Sequence, residues 1–223
     1  AKLSNDDIQT IATAVYTGMT VEDFQKTVRD WLATARHPRW NKPYTALIYE
    51  PMLELMRYLR ANGYKTYMVT GGGQEFVRAY AYPVYGIPPE QIIGSALATQ
   101  YAYNSAGQGV LIRSPKLLLM NNLSGKPEDI YLFIGRRPQM AAGNTDGDQQ
   151  MLEYTQAGNG PHLLMLILHD DPVREYAYGP ARGLPATSGI GSFSTALLNE
   201  ATQRGWQVIS MKNDWKRIFA FQQ

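Results

Sequence analysis

The 223-residue sequence contains no cysteine. Disulfide bonds, thiolate catalysis and cysteine metal sites are therefore excluded from it, while either redox compartment suits such a chain. Long apolar runs are also missing, because the longest, residues 163–168, has the length of a buried strand and not of a membrane span. An excess of one charge is missing too: the net charge is +2. A nucleic-acid partner is therefore not expected.

The composition that remains is that of a globular protein. Hydrophobic residues make up 44% of the chain and charged residues 18%, which is neither a disordered nor a fibrous composition. A chain of this length has enough residues for one good core. We therefore expect one α/β domain with a small appendage.

The first 45 residues predict two helices. A start that resembles a capping box at Ser4 precedes the first helix. Thr20 begins the second, in which Phe24, Val28 and Trp31 share one face at helical spacing.

Helices and strands alternate along the rest of the chain. Predicted helices cover residues 52–59, 74–80, 127–134, 149–154 and 194–204, and predicted strands cover residues 64–70, 92–103, 110–113, 140–143, 162–168 and 206–209. This alternation predicts a parallel sheet with helices on both faces. Ligands of such sheets bind at the carboxyl ends of the strands.

Two of these strand ends carry chemically useful residues. Thr70 is followed by three glycines that open a helix, a pattern suited to an anion but also to a tight packing turn. The second cluster, Asn144-Thr145-Asp146-Gly147-Asp148, offers several oxygen ligands for Mg²⁺. Its alternative is a polar turn that caps the next helix, which is a common use of Asn and Asp.

A third cluster lies between them in the sequence. Lys126 stands in Ser-Gly-Lys-Pro just before a predicted helix, where it would offset phosphate charge or would simply be a solvated surface lysine.

His169-Asp170-Asp171 also follows a predicted strand. Such donors at a strand end are more often turn and capping residues than metal ligands.

Taken in order, the three clusters resemble the second, third and fourth motifs of the haloacid dehalogenase (HAD) superfamily phosphatases. Gly-Asn-Thr-Asp-Gly-Asp at residues 143–148 is similar to the fourth motif of the phosphoserine-phosphatase-like branch, Gly-Asn-Ser-Asp-Gly-Asp. Flanking segments are similar as well, among them Arg-Glu-Tyr-Ala-Tyr at residues 174–178 and Lys-Asn-Asp-Trp-Lys at residues 212–216. The resemblance runs from the second helix to the last residues.

The resemblance implies a Rossmann-like core with a helical cap, and phosphomonoester hydrolysis that depends on Mg²⁺. On this basis residues 1–45 would be the remnant of the cap, and residues 46–223 an incomplete core. The expected ligand is a small phosphorylated or anionic molecule. The family's chemistry proceeds by positioning and charge neutralisation around a transferred phosphoryl group.

The resemblance also implies roles for individual residues. Thr70 would hydrogen-bond to the oxygens of the transferred phosphoryl group, and Gly71 and Gly72 would bind the substrate. Lys126 would stabilise the charge on the phosphate. The implied metal-site residues are Asn144, Asp146 and Asp148, of which Asp148 would either bind the metal through water or orient Lys126.

The family's first motif, a hydrophobic strand followed by Asp-x-Asp-x-Thr, does not occur in these 223 residues. That motif supplies the nucleophile, the general acid/base and one metal ligand, so we expect hydrolysis by this chain to be impaired. An N-terminal truncation is the simplest explanation, and it would leave exposed sheet edges that favour a homo-oligomer. A lost signal peptide would be compatible with a periplasmic location.

Two other functions compete with impaired phosphatase activity. One is a non-catalytic fragment that binds an anion or depends on a partner. The other is a hydrolase of another ester or lactone, although the sequence has no Gly-x-Ser-x-Gly elbow. A dinucleotide site at the three glycines is not expected, because the third glycine of the fingerprint is absent.

Overall fold

The computed structural model describes residues 17–186 and 191–222, which form a mixed α/β fold. Contacts between residues divide the chain into two compact units. The first unit is residues 1–45 and 67–121, and the second is residues 46–66 and 122–223. The helix predicted from Ser4 lies outside the described residues. The predicted division into a cap at 1–45 and a core at 46–223 stays a prediction.

The predicted second helix is helix α1 of the first unit, Val21–Thr34. Thr20 is its N-cap, and the Thr20 hydroxyl accepts a hydrogen bond from the backbone N–H of Asp23 at 3.0 Å. The buried face consists of Phe24, Val28 and Leu32, because apolar residues three to four positions apart lie on one side of a helix. Trp31 lies at the edge of that face, 48% exposed, and stacks on Tyr44.

The first unit contains a three-stranded sheet in the order β1-β2-β3. Strand β1, Met68–Gly73, runs parallel to β2, Ile92–Tyr103, which pairs antiparallel with β3, Gly109–Leu119. The short helices α3, Gln74–Arg78, and α4, Ala81–Tyr85, separate β1 from β2. The strand predicted at residues 92–103 has these bounds, whereas the strand predicted at residues 110–113 is longer and continues to Leu119.

Strand β1 differs from its predicted range of residues 64–70. It begins at Met68 and continues through the three glycines, which the sequence pattern assigns to a turn. Thr70 pairs with Gly94 and Gly73 pairs with Ser95, so an irregularity in the register accommodates the residues between them. Glycine is poor at predicting strand ends, because its wide conformational range allows both strand and turn.

The second unit contains the parallel sheet β4-β5-β6. Its strands are Met140–Gly143, Leu163–Leu168 and Gln207–Ser210, numbered in that order, and both pairings are parallel. Its helices are α2, Glu50–Ala61, α5, Gly125–Ile134, α6, Gln149–Gln156, and α7, Thr195–Arg204. Short 3-10 turns lie at Tyr44–Ala46, Pro89–Gln91, Asp146–Asp148 and Ala181–Gly183 across the described chain.

Strands that alternate with helices and pair in parallel make the second unit Rossmann-like, so the predicted α/β fold class is confirmed. The sequence pattern predicts one parallel sheet, whereas the described strands form two sheets of three. The apolar run of residues 163–168 is strand β5, and its Leu164, Leu166, Ile167 and Leu168 are buried. No helix in the described part of the chain is long and apolar enough to cross a membrane.

Candidate active site

The polar turn after strand β4 lies at the carboxyl edge of the parallel sheet in the second unit. Strand β4 ends at Gly143, and Asp146–Asp148 forms one 3-10 turn before α6. Thr145 and Asp148 form a reciprocal capping box across this turn. A Cβ atom at Gly143 would lie 2.4 Å from the Cβ of Asp148, so only glycine fits there.

Lys126 and Asp148 form an ion pair in the interior. The Lys126 ammonium (Nζ) lies 2.9 Å from Asp148 Oδ1, and both side chains are more than nine-tenths buried. The other oxygen, Oδ2, accepts hydrogen bonds from the backbone N–H groups of Asn144 at 2.9 Å and Thr145 at 3.1 Å, and from the Thr145 hydroxyl at 3.3 Å. Protein donors therefore occupy both oxygens of Asp148, and the carboxylate fixes the position of Lys126.

Asp146 connects the turn to helix α7. Its Oδ1 accepts hydrogen bonds from the hydroxyl of Ser194 at 2.7 Å and from the Ser194 N–H at 3.2 Å. The Asp146 N–H donates to the carbonyl of Ser192 at 2.7 Å. Ser194 is the N-cap of α7, so Asp146 Oδ1 is bonded to the residue that begins this helix.

The side chain of Asn144 contacts two aromatic residues that come later in the chain. Its Nδ2 donates to the Tyr178 hydroxyl at 3.1 Å and lies 3.4 Å from His169 Nε2. His169 Nδ1 in turn lies 3.0 Å from Glu175 Oε2. His169 and Glu175 are buried, and the rings of His169 and Tyr178 stack with centroids 4.2 Å apart.

Tyr178 keeps its proton throughout the physiological range. Burial raises the pKa of the Tyr178 phenol well above its ordinary value, and the negative charges of Glu175 and Asp148 raise it further. The hydrogen bond from Asn144 acts in the opposite direction without cancelling these effects. The Asn144 amide therefore faces a neutral phenol.

The two aspartates after His169 form hydrogen bonds and an ion pair with nearby turn and loop residues, which is the kind of role that the sequence pattern favours. Asp170 accepts a hydrogen bond from the hydroxyl of Ser210 at 2.6 Å and from the Lys212 N–H at 3.0 Å. Asp171 pairs with Arg174. Within residues 17–186 and 191–222, no three His, Asp or Glu side chains converge in a way that would hold a metal ion.

Thr70, Gly71 and Gly72 belong to the first unit. The Thr70 hydroxyl accepts a hydrogen bond from the Gly72 N–H at 3.0 Å, and the Gly71 carbonyl accepts one from the Ser95 hydroxyl at 2.9 Å. The backbone here is closely packed, because a Cβ at Gly94 would lie 3.0 Å from the Gly72 carbonyl oxygen and from Thr70 Cγ2. Packing thus accounts for Gly94, and a Cβ at Gly72 would also be close to Thr70, 3.3 Å from its Oγ1.

Comparison with known families decides where the chain belongs. The model of the haloacid dehalogenase-like hydrolase family matches residues 1–153. The chain belongs to this family. The matched residues include Thr70, Lys126 and the turn of residues 144–148, so the resemblance seen in the three motifs is confirmed at the level of the family.

Similarity to individual proteins is weaker. A phosphoserine phosphohydrolase-like protein from Francisella tularensis subsp. tularensis SCHU S4 is 14% identical, with a TM-score of 0.39. The match covers 68% of this chain and 66% of that one. No curated protein matches the sequence significantly.

The haloacid dehalogenase-like hydrolases typically use Mg²⁺, and the turn of this member offers two oxygens for it. No described residue donates a hydrogen bond to Asn144 Oδ1 or Asp146 Oδ2, whereas both oxygens of Asp148 are bonded. Mg²⁺ is commonly held by one or two carboxylates together with waters and substrate phosphate. Asn144 Oδ1 and Asp146 Oδ2 are therefore the oxygens of this turn that could bind Mg²⁺.

Three residues of this environment are absent from the sequence-based site: His169, Glu175 and Tyr178. They lie beyond the residues that the haloacid dehalogenase model matches. For Glu175 and Tyr178 the sequence signal is the segment at residues 174–178, which resembles the phosphatase family without any assigned role. His169 follows a predicted strand, where the sequence pattern favours a turn or capping role over metal binding. Their contact with Asn144 depends on parallel strand pairing, which a local pattern does not reveal.

Proposed function

We propose that this chain binds a small phosphorylated molecule with Mg²⁺ and catalyses phosphomonoester hydrolysis at an impaired rate. The observation that carries the proposal is the buried ion pair of Lys126 and Asp148, whose carboxylate also accepts a hydrogen bond from the Asn144 N–H. The impairment follows from the missing Asp-x-Asp-x-Thr motif, which in this family supplies the nucleophile.

The buried lysine is suited to a phosphate group. Phosphoryl transfer is accelerated mainly by fixed positive charge placed where negative charge accumulates. Asp148 holds the Lys126 ammonium in place through a direct contact, and three further donors hold Asp148. A charge held this way needs no reorganisation when the phosphate binds.

Asn144 and Asp146 would hold Mg²⁺, which would neutralise charge on the phosphoryl oxygens when bound. Asp148 would act on the metal only through water, since protein donors already occupy its oxygens. Thr70 with Gly71 and Gly72 is assigned to the phosphoryl oxygens on the family resemblance alone.

A non-catalytic anion-binding role is the second candidate. The missing motif favours it, because a pocket with the lysine and the metal ligands but without the nucleophile would bind phosphate and release it unchanged. Binding without turnover distinguishes this candidate from the first.

The test is hydrolysis of p-nitrophenyl phosphate by the 223-residue chain, with and without Mg²⁺. We expect slow hydrolysis that requires Mg²⁺ and is lost in Lys126→Met and Asn144→Ala. Lys65→Met is the matched control, because Lys65 is an exposed lysine of the same unit.

The outcomes separate the proposals. Hydrolysis that is independent of Mg²⁺, or equal in Lys126→Met, would contradict the proposed site. Turnover as fast as that of a phosphatase with the complete motif set, lost in Lys126→Met, would contradict only the impairment. Phosphate binding with no hydrolysis would favour the non-catalytic candidate.

A further inference from the structure

A buried cluster of His169, Glu175 and Tyr178 surrounds the nitrogen end of the Asn144 carboxamide. The same nitrogen, Nδ2, lies 3.1 Å from the Tyr178 hydroxyl oxygen and 3.4 Å from His169 Nε2. A carboxamide nitrogen carries two hydrogens, which is enough to donate to both of these neighbours. The oxygen of the same group accepts no hydrogen bond from another described residue.

The contact with Glu175 determines how His169 takes part. Glu175 Oε2 lies 3.0 Å from His169 Nδ1, and a carboxylate can only accept. The proton of a neutral imidazole therefore stays on Nδ1, which leaves Nε2 with its lone pair as an acceptor for Asn144. Stacking on Tyr178 and an edge contact with Tyr49 fix the plane of the ring.

We propose that His169, Glu175 and Tyr178 are positioning residues that fix which end of the Asn144 carboxamide is available, with its nitrogen bonded to the cluster and its oxygen left to bind a divalent cation. A carboxamide is nearly symmetric in shape, so packing alone does not distinguish its oxygen from its nitrogen. His169 Nε2 makes that distinction, because it can only accept when Nδ1 carries the proton, and the Tyr178 hydroxyl accepts at the same end. The inference rests on the proposed Mg²⁺ site and extends it to residues beyond the family match.

The first test examines the cluster in the metal-free protein by NMR. We expect the imidazole ¹⁵N spectrum of His169 to show the proton on Nδ1, the nitrogen that faces Glu175. We also expect the Asn144 side-chain NH₂ protons to exchange more slowly than those of exposed Asn213. A proton on Nε2, or exchange as fast as at Asn213, would overturn the proposal whether or not metal binds.

The second test measures Mn²⁺ affinity by electron paramagnetic resonance in a double-mutant cycle. His169→Phe keeps a ring beside Tyr178 but removes both nitrogens. Outer residues that orient metal ligands typically contribute about tenfold or more to affinity, so we expect about tenfold weaker binding when Asn144 is present. In the Asn144→Asp background both ends of the side chain are oxygens, so we expect His169→Phe to change affinity less than about twofold.

The remaining variants separate positioning from a purely structural role. Glu175→Gln keeps an acceptor for His169 Nδ1 and should retain Mn²⁺ affinity, whereas Glu175→Leu should weaken it as His169→Phe does. An equal loss from His169→Phe in the wild-type and Asn144→Asp backgrounds would overturn the positioning role. Wild-type protein that binds no Mn²⁺ would instead refute the proposed metal site and with it the cation part of the inference, while NMR still decides the orientation of the amide.

Discussion

At the scale of single residues, the buried ion pair of Lys126 and Asp148 is the feature on which the proposed site depends. Each is a charged group more than nine-tenths buried, and a buried charge is tolerated only when a partner and further hydrogen bonds replace the lost water. The resemblance to the phosphatases implies a site role for both residues, and it gives the orientation of Lys126 as one of two roles for Asp148. It could not predict the burial that favours this role, because Gly-Lys-Pro before a helix is equally typical of an exposed lysine.

The first prediction follows from this burial. Lys126→Met leaves the buried charge of Asp148 without its ammonium partner, and breaking such a pair typically lowers stability by about 3–5 kcal/mol. Adding Asp148→Asn should recover part of the loss, because the remaining charge is then removed while a carboxamide oxygen still accepts from the turn. Urea unfolding of the three proteins measures the free energies.

A surface pair provides the control for that prediction. Lys26 and Asp30 are one helical turn apart in α1, and both side chains are mostly exposed. Lys26→Ala should therefore change the free energy of unfolding by no more than about 1 kcal/mol. A loss in Lys126→Met as small as in Lys26→Ala would mean that the lysine is not buried as described.

At the scale of elements, prediction from sequence succeeds where the signal is local. Helix α1 follows from its N-cap and its apolar spacing, and β5 follows from an uninterrupted apolar run. Strand β1 was predicted with shifted ends, because glycines at its carboxyl end carry no preference for a turn over a strand. The partners of Asn144 come from a different strand end and from the loop after it, so no local pattern contains them.

The N-cap of α1 gives the second prediction. The Thr20 hydroxyl accepts from the Asp23 N–H, a backbone donor with no partner inside the helix. Thr20→Ala should lower the free energy of unfolding by about 1 kcal/mol. Thr27→Ala is the control, since the Thr27 hydroxyl donates to the Asp23 carbonyl, which the helix already uses. It should lower the free energy of unfolding less than Thr20→Ala does. Thermal unfolding of wild type and both variants measures the difference.

The Arg174 side chain binds several backbone carbonyls of the segment after β6. The Arg174 guanidinium donates to the backbone carbonyls of Met211, Lys212, Trp215 and Lys216 at 2.7–3.2 Å. It also donates to Asp171 Oδ2 at 2.5 Å. Arginine suits this role because its planar group presents five donors in fixed directions. The two segments that resemble the phosphatase family, residues 174–178 and 212–216, are therefore in contact with each other through Arg174.

The third prediction concerns the pH dependence of this contact. Burial acts to raise the pKa of Asp171, but hydrogen bonds from the Arg174 N–H and guanidinium, the Arg174 charge and the Val173 N–H outweigh it, so the pKa lies below its ordinary value. A carboxyl with a lowered folded-state pKa stabilises the fold above its unfolded pKa of about 4. That stabilisation is lost as the pH falls through the folded value.

Asp171→Asn should therefore be less stable than wild type at neutral pH, and the difference should shrink as the pH falls below about 4. Urea unfolding at several pH values measures it. Asp30→Asn, which changes an exposed carboxyl, serves as the control and should show a smaller difference at neutral pH. A gap for Asp171→Asn that stays constant into acid would contradict the lowered pKa.

At the scale of the whole molecule, the sequence alone did not predict that the chain forms these two compact units. Each unit is assembled from two separate stretches of chain, so its composition depends on contacts between residues far apart in sequence. The alternation of helices and strands gave the α/β class, but it did not indicate that the strands form two sheets. Pairing between strands is decided by long-range packing, which single-sequence periodicity does not encode.

The fourth prediction tests the proposed site through the stability of the entire chain. A ligand that binds only the folded state adds about 2.7 kcal/mol of stability at a hundred times its dissociation constant. For a chain of this size that corresponds to a rise of about 5–10 °C in Tm. Mg²⁺ would neutralise charge on a phosphate analogue beside Lys126, so Mg²⁺ and vanadate together should raise Tm by more than the sum of their separate effects.

The same measurement on two lysine variants shows where the ligand binds. Lys126→Met removes the buried positive charge, so the combined shift should largely disappear even after its lower starting Tm is taken into account. Lys65→Met removes an exposed positive charge of the same unit and should keep the full shift, because screened surface charges contribute little to a specific site. Equal shifts in both variants would mean that vanadate binds elsewhere, and the proposal that Lys126 receives the phosphate would then be wrong.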